Sequence, residues 1–286
     1  MINAIANLFG AVVKLIYNAV GQNYGLSIII FAILSKLIMF PLSLKQAKAT
    51  KNMKKIAPME QELRKKYKGN NEKLGIELQK LYSEHKVNPL AGCLPALVQI
   101  PIILAMFYIV KQPLTYIKQL PKEKIQEYVI EMRADGDKEK KVTDSELKNS
   151  ELEIASKKKI LNMNFAGINF GDIPSKSIAK GVPKEERPSY ITLIVPILSL
   201  ISTIIQTKIT QKNSNLTDEQ KEQQKTMSMM MPFLSAYIAY IMPLALGIYW
   251  LIGGIIQLIL QLIIEYIING KQEGTVAKLL SGGREE

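Results

Sequence analysis

The run over residues 26–44, LSIIIFAILSKLIMFPLSL, is apolar enough to cross a bilayer, yet it carries Lys36 in its interior. A lysine at the centre of a membrane helix costs about 2.5–3.5 kcal/mol on insertion scales, so an ionisable residue there marks a functional site by default. Ser35, Gln99 and Gln206 are the other polar groups at or near bilayer depth. The aspartates fall in loops, and Glu265 lies close to the end of the last apolar run, so no anion stands at the depth of Lys36. A cation among hydroxyls and amides implies water, and a wet cationic pocket attracts acidic groups from outside the protein. That attraction is about 1 kcal/mol at 4 Å in water and about 4 kcal/mol at an effective dielectric of 20, enough for transient capture without trapping. The two glutamines have a competing use as hydrogen-bonding groups between helices. Trp250 is either an interfacial anchor or a wall of the same pocket. The cluster of Met227, Met229, Met230 and Met231 is either an adaptable apolar surface or ordinary packing.

Other chemistries lack their residues. An aspartyl intramembrane protease needs two aspartates at bilayer depth. A zinc protease of the HExxH type needs two histidines, and the chain has one, His85. Cys93 is the single cysteine, which excludes an intramolecular disulfide and a cysteine-based metal cluster. No glycine-rich phosphate loop occurs. The expectation is therefore no enzyme, no cofactor and no small-molecule substrate. The formal net charge of +12 also suits nucleic-acid binding, but the basic residues sit beside the apolar runs. A polytopic transporter or channel with Lys36 in its pore is the alternative, weakened because only Glu265 offers the intramembrane carboxylate such proteins usually carry.

These residues need an all-α integral membrane protein to position them. The 286 residues are 48% hydrophobic, with the apolar residues gathered in long runs and the charges between them. Residues 1–20 are amphipathic: Ile2, Ile5, Phe9, Val12, Val13, Ile16 and Val20 share one helical face, and Asn3, Asn7, Lys14 and Asn18 the opposite one. They predict an interfacial helix or one packed on other protein, ended by a turn at Gly21 and Gly25. Spans are expected at 26–44, 90–110 with Pro95 and Pro101 inside, 190–207, 227–242 and 248–268, the last two separated at Pro243 and Gly247. A helical hairpin is expected over 45–88, turning at Lys68-Gly69-Asn70-Asn71. The 111–189 segment is expected to be solvated, with 121–160 a charged helix or a partly disordered stretch. A linker over 208–226 and a tail over 269–286 complete the chain. Five spans put the termini on opposite sides. The lysines at 45–55 place the hairpin, the linker and the C-terminus in the cytoplasm, and the N-terminus outside.

At this point the residues show a resemblance. The segment NPLAGCLPALVQIPIILAMFYIV, residues 88–110, closely resembles the second core span of the YidC family of membrane-protein insertases. GLSIIIFAILSKLIMFPLSLKQ, residues 25–46, and the run MMMPFLSAYIAYIMPLALGIYWLIGGIIQLILQ, residues 229–261, extend it, and VPILSLISTIIQTK, residues 195–208, does so less strongly. The resemblance implies five transmembrane helices around a hydrophilic groove open to cytoplasm and lipid, with a cytoplasmic helical hairpin and an N-terminal interfacial amphipathic helix. The family's groove arginine stands five residues before the Pro-Leu that ends the first span, and here that position is Lys36. Lysine keeps the charge but loses the two-pronged grip on a carboxylate. Gln206 and Trp250 correspond to other groove positions, and Gln99 belongs to the second-span motif. The implied activity moves hydrophilic segments of nascent membrane proteins across the bilayer and releases their apolar segments into lipid. The implied partners are nascent membrane proteins, the bilayer, the ribosome and the Sec translocon. The implied location is the bacterial plasma membrane. With no secretory signal, no lipid-anchoring cysteine and no large outer domain, the chain looks like the form found in single-membrane bacteria.

Overall fold

The computed structural model describes residues 2–88, 94–133, 141–212 and 218–269. Cys93 and most of the expected 269–286 tail lie outside them. The protein is an all-α integral membrane protein. Among the described residues its only strands are the two-residue β1 (Asn164–Phe165) and β2 (Ile168–Asn169), an antiparallel pair. By length and composition four stretches can cross a membrane: Ile2–Ala19, the apolar part of Tyr24–Lys66, Tyr190–Ile209 and Leu244–Ile268. Val98–Lys111 and Ser228–Ile241 are apolar and shorter. The chain divides into two compact units, one of Met1–Ser35, Gln99–Leu200 and Leu234–Gly253, the other of Lys36–Val98, Ile201–Phe233 and Gly254–Glu286.

The first unit begins with α1 (Ile2–Ala19), which buries Ala6, Gly10, Val13 and Tyr17. This stripe differs from the isoleucine-rich face the sequence suggests, because small residues allow close approach. A Cβ at Gly10 would lie 2.8 Å from the Tyr116 carbonyl oxygen. Lys14 Nζ donates to Gln119 Oε1 at 2.7 Å, and the Lys118 ammonium sits 5.0 Å from the centre of the Tyr17 ring. Tyr116 and Lys118 belong to a π-helical turn, Leu114–Lys118, which follows α4 (Leu94–Lys111). On the other side of α1, Leu8 and Leu15 remain exposed.

Gly21 and Gln22 make the turn into α2 (Tyr24–Lys66), with φ of 68° and 58°. Gly25 is no turn residue. It lies inside α2, where a Cβ would stand 2.8 Å from Phe165 Cβ and 3.0 Å from the Phe170 ring. Those two phenylalanines meet edge to face, 6.1 Å apart. The loop that carries them caps two helices: Asn162 accepts from the Tyr24 amide at 2.9 Å, while Asp172 and Phe170 carbonyls accept from Leu244 and Ala245 amides at 2.7 and 2.9 Å. Amides at a helix start have no intrahelical acceptor, so these contacts satisfy groups that otherwise need water. α9 (Leu244–Asn269) thus starts immediately after Pro243, where α8 (Asp218–Ile241) has ended. Gly247, expected at this break, is helical and lets Val195 Cγ1 approach to 3.1 Å of where a Cβ would be. Val195 belongs to α7 (Ile194–Lys212), which is preceded by a 3-10 turn at Tyr190–Leu193.

The charged stretch before it contains two helices among its described residues. α5 (Lys122–Met132) packs along α6 (Asp144–Lys157), whose N-cap Thr143 accepts from the Glu146 amide at 3.2 Å. Arg133 grips Glu146 with two hydrogen bonds of 2.9 and 2.6 Å, Lys122 meets Asp144 at 2.7 Å, and Lys158 pairs with Glu131.

In the second unit α2 runs on unbroken to Lys66, past Pro41 and Pro58. The first span expected over 26–44 and the first arm of the hairpin are therefore one helix of 43 residues. Gly69, at φ 90°, turns the chain, and Asn70 caps α3 (Asn71–Glu84) by accepting from the Lys73 amide at 3.0 Å. Ile56, Ala57 and Leu81 are buried, as is Glu60, which holds Arg64 through Nε at 3.1 Å and Nη2 at 2.9 Å. Lys51 Nζ donates to the Ile268 carbonyl at 3.0 Å, capping the last turn of α9.

Candidate functional site

The expected site residues fall into two pairs. Gln99 and Trp250 belong to the first unit, and Lys36 and Gln206 to the second. All four are half-buried.

In the first unit a small polar cluster surrounds Gln99. Ser35 ends this unit's part of α2 and donates to the Ala32 carbonyl at 2.9 Å. Tyr249, one residue before Trp250 and only 3% exposed, turns its hydroxyl toward Ser35 and Gln99. The Tyr249 oxygen reaches hydrogen-bond geometry with neither. Its ring lies 6.2 Å from Phe31, which in turn lies 5.5 Å from Phe9 of α1. Ser35 and Gln99 were legible as polar groups inside apolar runs. Tyr249 was missed because a tyrosine in such a run resembles an ordinary aromatic. Its only signal is that tyrosine brings a hydroxyl that wants a partner when buried.

In the second unit Gln206 is tied to its own helix and to α9. Its Nε2 donates to Ser202 Oγ at 3.1 Å, one turn earlier. A Cβ at Gly254 would lie 2.6 Å from that Nε2 and 3.2 Å from Ser202 Oγ. Gly254 therefore lets the α9 backbone close on a hydroxyl–amide pair, which is the interhelical use of a glutamine. Neither Ser202 nor Gly254 stood out in the sequence.

Lys36 is held on the apolar part of α2, five residues before Pro41. Leu37 at 48% exposure and Ile38 at 78% adjoin it. Glu265, the one carboxylate near an apolar run, acts elsewhere: it faces Lys54 near the end of α9. Burial pushes the Lys54 ammonium below its usual range, and Glu265 offsets only part of that.

A sequence model described as 60Kd inner membrane protein matches residues 15–272, nearly the whole chain. The chain belongs to the 60Kd inner membrane protein family. Its similarity to individual members is concentrated in a shorter stretch. A protein of Fusobacterium nucleatum named membrane protein insertase YidC is 51% identical over 89 residues, 31% of this chain and 43% of that protein. The protein of the same name from Chlorobium limicola is 52% identical over 88 residues, 31% of this chain and 15% of its own length. That of Pelodictyon phaeoclathratiforme is 49% identical over 92 residues, 32% and 16% of the two chains. The matched stretch thus spans less than half of each relative. Family membership and the apolar helices make the chain a multi-pass protein of the bacterial inner membrane.

Proposed function

We propose that this chain is a membrane-protein insertase and chaperone. The observation that carries the reading is a half-buried lysine on the apolar part of a helix, in a chain whose relatives are named insertases. Lys36 attracts an acidic or polar segment of a nascent membrane protein into the bilayer, with Gln206, Gln99 and Trp250 as the further groove positions. Water admitted by these polar groups shortens the apolar distance the segment crosses. The membrane potential then draws an acidic tail outward at about 2.3 kcal/mol per charge per 100 mV, and the client's apolar segment partitions into lipid. No bond is made or broken in this cycle, and the chain acts without an enzyme's nucleophile. Gln206 serves the groove from a fixed position, since Ser202 orients its amide.

The topology that goes with this reading has five spans, on α2, α4, α7, α8 and α9, with α1 lying in the outer interface. The N-terminus is outside. The hairpin of α2 and α3 is cytoplasmic, as the lysines from 45 to 55 favour. Nascent chains meet the hairpin first, and the ribosome and the Sec translocon are its expected neighbours.

Vesicles containing the full chain, supplied with a newly made single-span protein bearing an acidic external tail, provide the test. Protease protection of the tail, absent in empty vesicles, is the expected result. Coupled ion flux without tail protection would replace the insertase with a transporter.

A further inference from the structure

Because α2 continues unbroken from the bilayer to Lys66, its helical faces can be followed across the membrane boundary. At about 100° per residue, Leu37, Ile38, Pro41, Lys45, Lys48 and Lys55 fall within an arc of about 100°. All six are exposed. The first three are apolar and the last three cationic, so one exposed stripe changes from apolar to basic as the helix leaves its apolar part. The lysines on this stripe differ from their neighbours. Lys51 is engaged with the Ile268 carbonyl and Lys54 faces Glu265. Lys45, Lys48 and Lys55 make no hydrogen bond or ion pair with any described residue. No aspartate or glutamate occurs on α2 before Glu60, so nothing on the helix itself neutralises them.

We infer that Lys45, Lys48 and Lys55 form a docking stripe for the headgroups of anionic phospholipids in the cytoplasmic leaflet, and that this contact holds the hairpin of α2 and α3 down against the bilayer. The occupant follows from charge and continuity: the residues directly before the stripe are exposed and apolar on a helix apolar enough to cross a membrane, and the complement of three unpaired ammonium groups beyond them is a layer of phosphates. At 1.5 Å per residue Lys45 lies about 6 Å beyond Pro41 along the helix, and Lys55 about 21 Å beyond. Lys45 is thus within a Debye length of the surface and Lys48 stands at about one. Lys55 reaches it only when the helix leans, which makes its engagement the readout of docking. Each lysine near an anionic surface favours the docked state about five-fold, and three favour it about a hundred-fold. The inference rests on the cytoplasmic placement proposed above.

The test uses the full chain with Cys93→Ser and a nitroxide on Asn52→Cys, beside the stripe. The vesicles are phosphatidylcholine alone or an equal mixture of phosphatidylcholine and phosphatidylglycerol. Docking predicts that the label becomes immobile and accessible to a headgroup-bound nickel chelate only in the mixture, and that molar salt reverses this in the unmodified stripe. Lys45→Gln, Lys48→Gln and Lys55→Gln together abolish it. The same loss of charge at Lys65, Lys68 and Lys86, three exposed lysines further along the hairpin, leaves it intact. Equal loss in both triple variants, or a label indifferent to phosphatidylglycerol, overturns the proposal. So does immobilisation by added ribosomal RNA on pure phosphatidylcholine, which would make the stripe an RNA-binding face. Insertion is scored separately in the same vesicles. Docking without insertion leaves the stripe standing and removes the insertase reading, and insertion without docking does the reverse.

Discussion

The 112–193 segment and the 45–88 segment are both rich in lysine and glutamate, and they differ in how many of their cations near a helix boundary are matched. In the first, charges are closed on one another: Arg133 on Glu146, Lys122 on Asp144, Lys158 on Glu131. Glu151, 1% exposed, accepts from the Thr115 amide at 2.8 Å and the Thr115 hydroxyl at 2.7 Å, fastening α6 to the π-helical turn on which α1 rests. In the second, Arg64 pairs with Glu60 and Lys80 with Glu77, but Lys45, Lys48 and Lys55 face outward with no partner among the described residues. A segment whose polar groups satisfy each other is a structural closure. A segment that leaves cations unmatched is a surface awaiting anions, whether lipid headgroups or client chains.

Substitutions can break that contrast. The largest expected structural effect is at Glu151. Glu151→Ala strands the Thr115 amide and hydroxyl and costs about 1–3 kcal/mol for each group left without an acceptor, read as faster hydrogen exchange over 112–160. Gly10→Ala comes next. Its methyl would meet a backbone oxygen at 2.8 Å, and overpacking of this kind costs about 1–3 kcal/mol, read as a lowered melting temperature with α1 more open to protease. Smaller still is a pH effect. Burial pushes the Glu151 carboxyl above its ordinary value of 4.5, more than the Thr115 hydrogen bonds pull it down. A raised carboxyl pKa means that the folded segment binds the proton better than the unfolded chain does. The stabilisation is therefore complete below about pH 4.5 and is lost as pH rises through the raised value. Glu151→Gln should flatten this dependence in thermal melts taken across the acid range. The smallest effect belongs to the other segment: Lys45→Gln or Lys48→Gln should leave the melting temperature of detergent-solubilised protein unchanged, because exposed sites without partners contribute little to stability. A large destabilisation there would mean that these lysines are structural and would remove the contrast.

The parts of this architecture that the sequence reveals are those written in composition. The all-α membrane class follows from long apolar runs, and Lys36 is visible because a charge inside such a run is costly. The turn at Gly69 and Asn70 is carried by local backbone chemistry and needs no tertiary context. What stayed hidden depends on neighbours. Pro41 was expected to close the first span, and that the helix itself runs on past it to Lys66 was not legible. Gly25 and Gly247 looked like breaks, yet both are helical and serve close packing, against Phe165 and Phe170 in one case and Val195 in the other. For 121–160 the sequence offered a charged helix or a partly disordered stretch; its described parts include α5 and α6, and composition does not say which lysine meets which glutamate. At the site, Lys36 and the glutamines were visible as polar groups in apolar runs. Tyr249, Ser202 and Gly254 were not, because their roles come from what the fold sets beside them.

The measurement that tests the proposed mechanism most directly is tail translocation with Lys36 as the only variable. Vesicles carry the chain with Lys36 unchanged, Lys36→Arg or Lys36→Ala, and the client is a single-span protein with an acidic external tail. Arginine should translocate the tail at least as well as lysine, since it keeps the charge and adds a bidentate grip. Alanine should reduce translocation by about ten-fold or more, the equivalent of losing at least 1.4 kcal/mol of attraction. Equal translocation by all three would contradict the central role given to the cation, and leave hydration by the remaining polar groups to carry the activity.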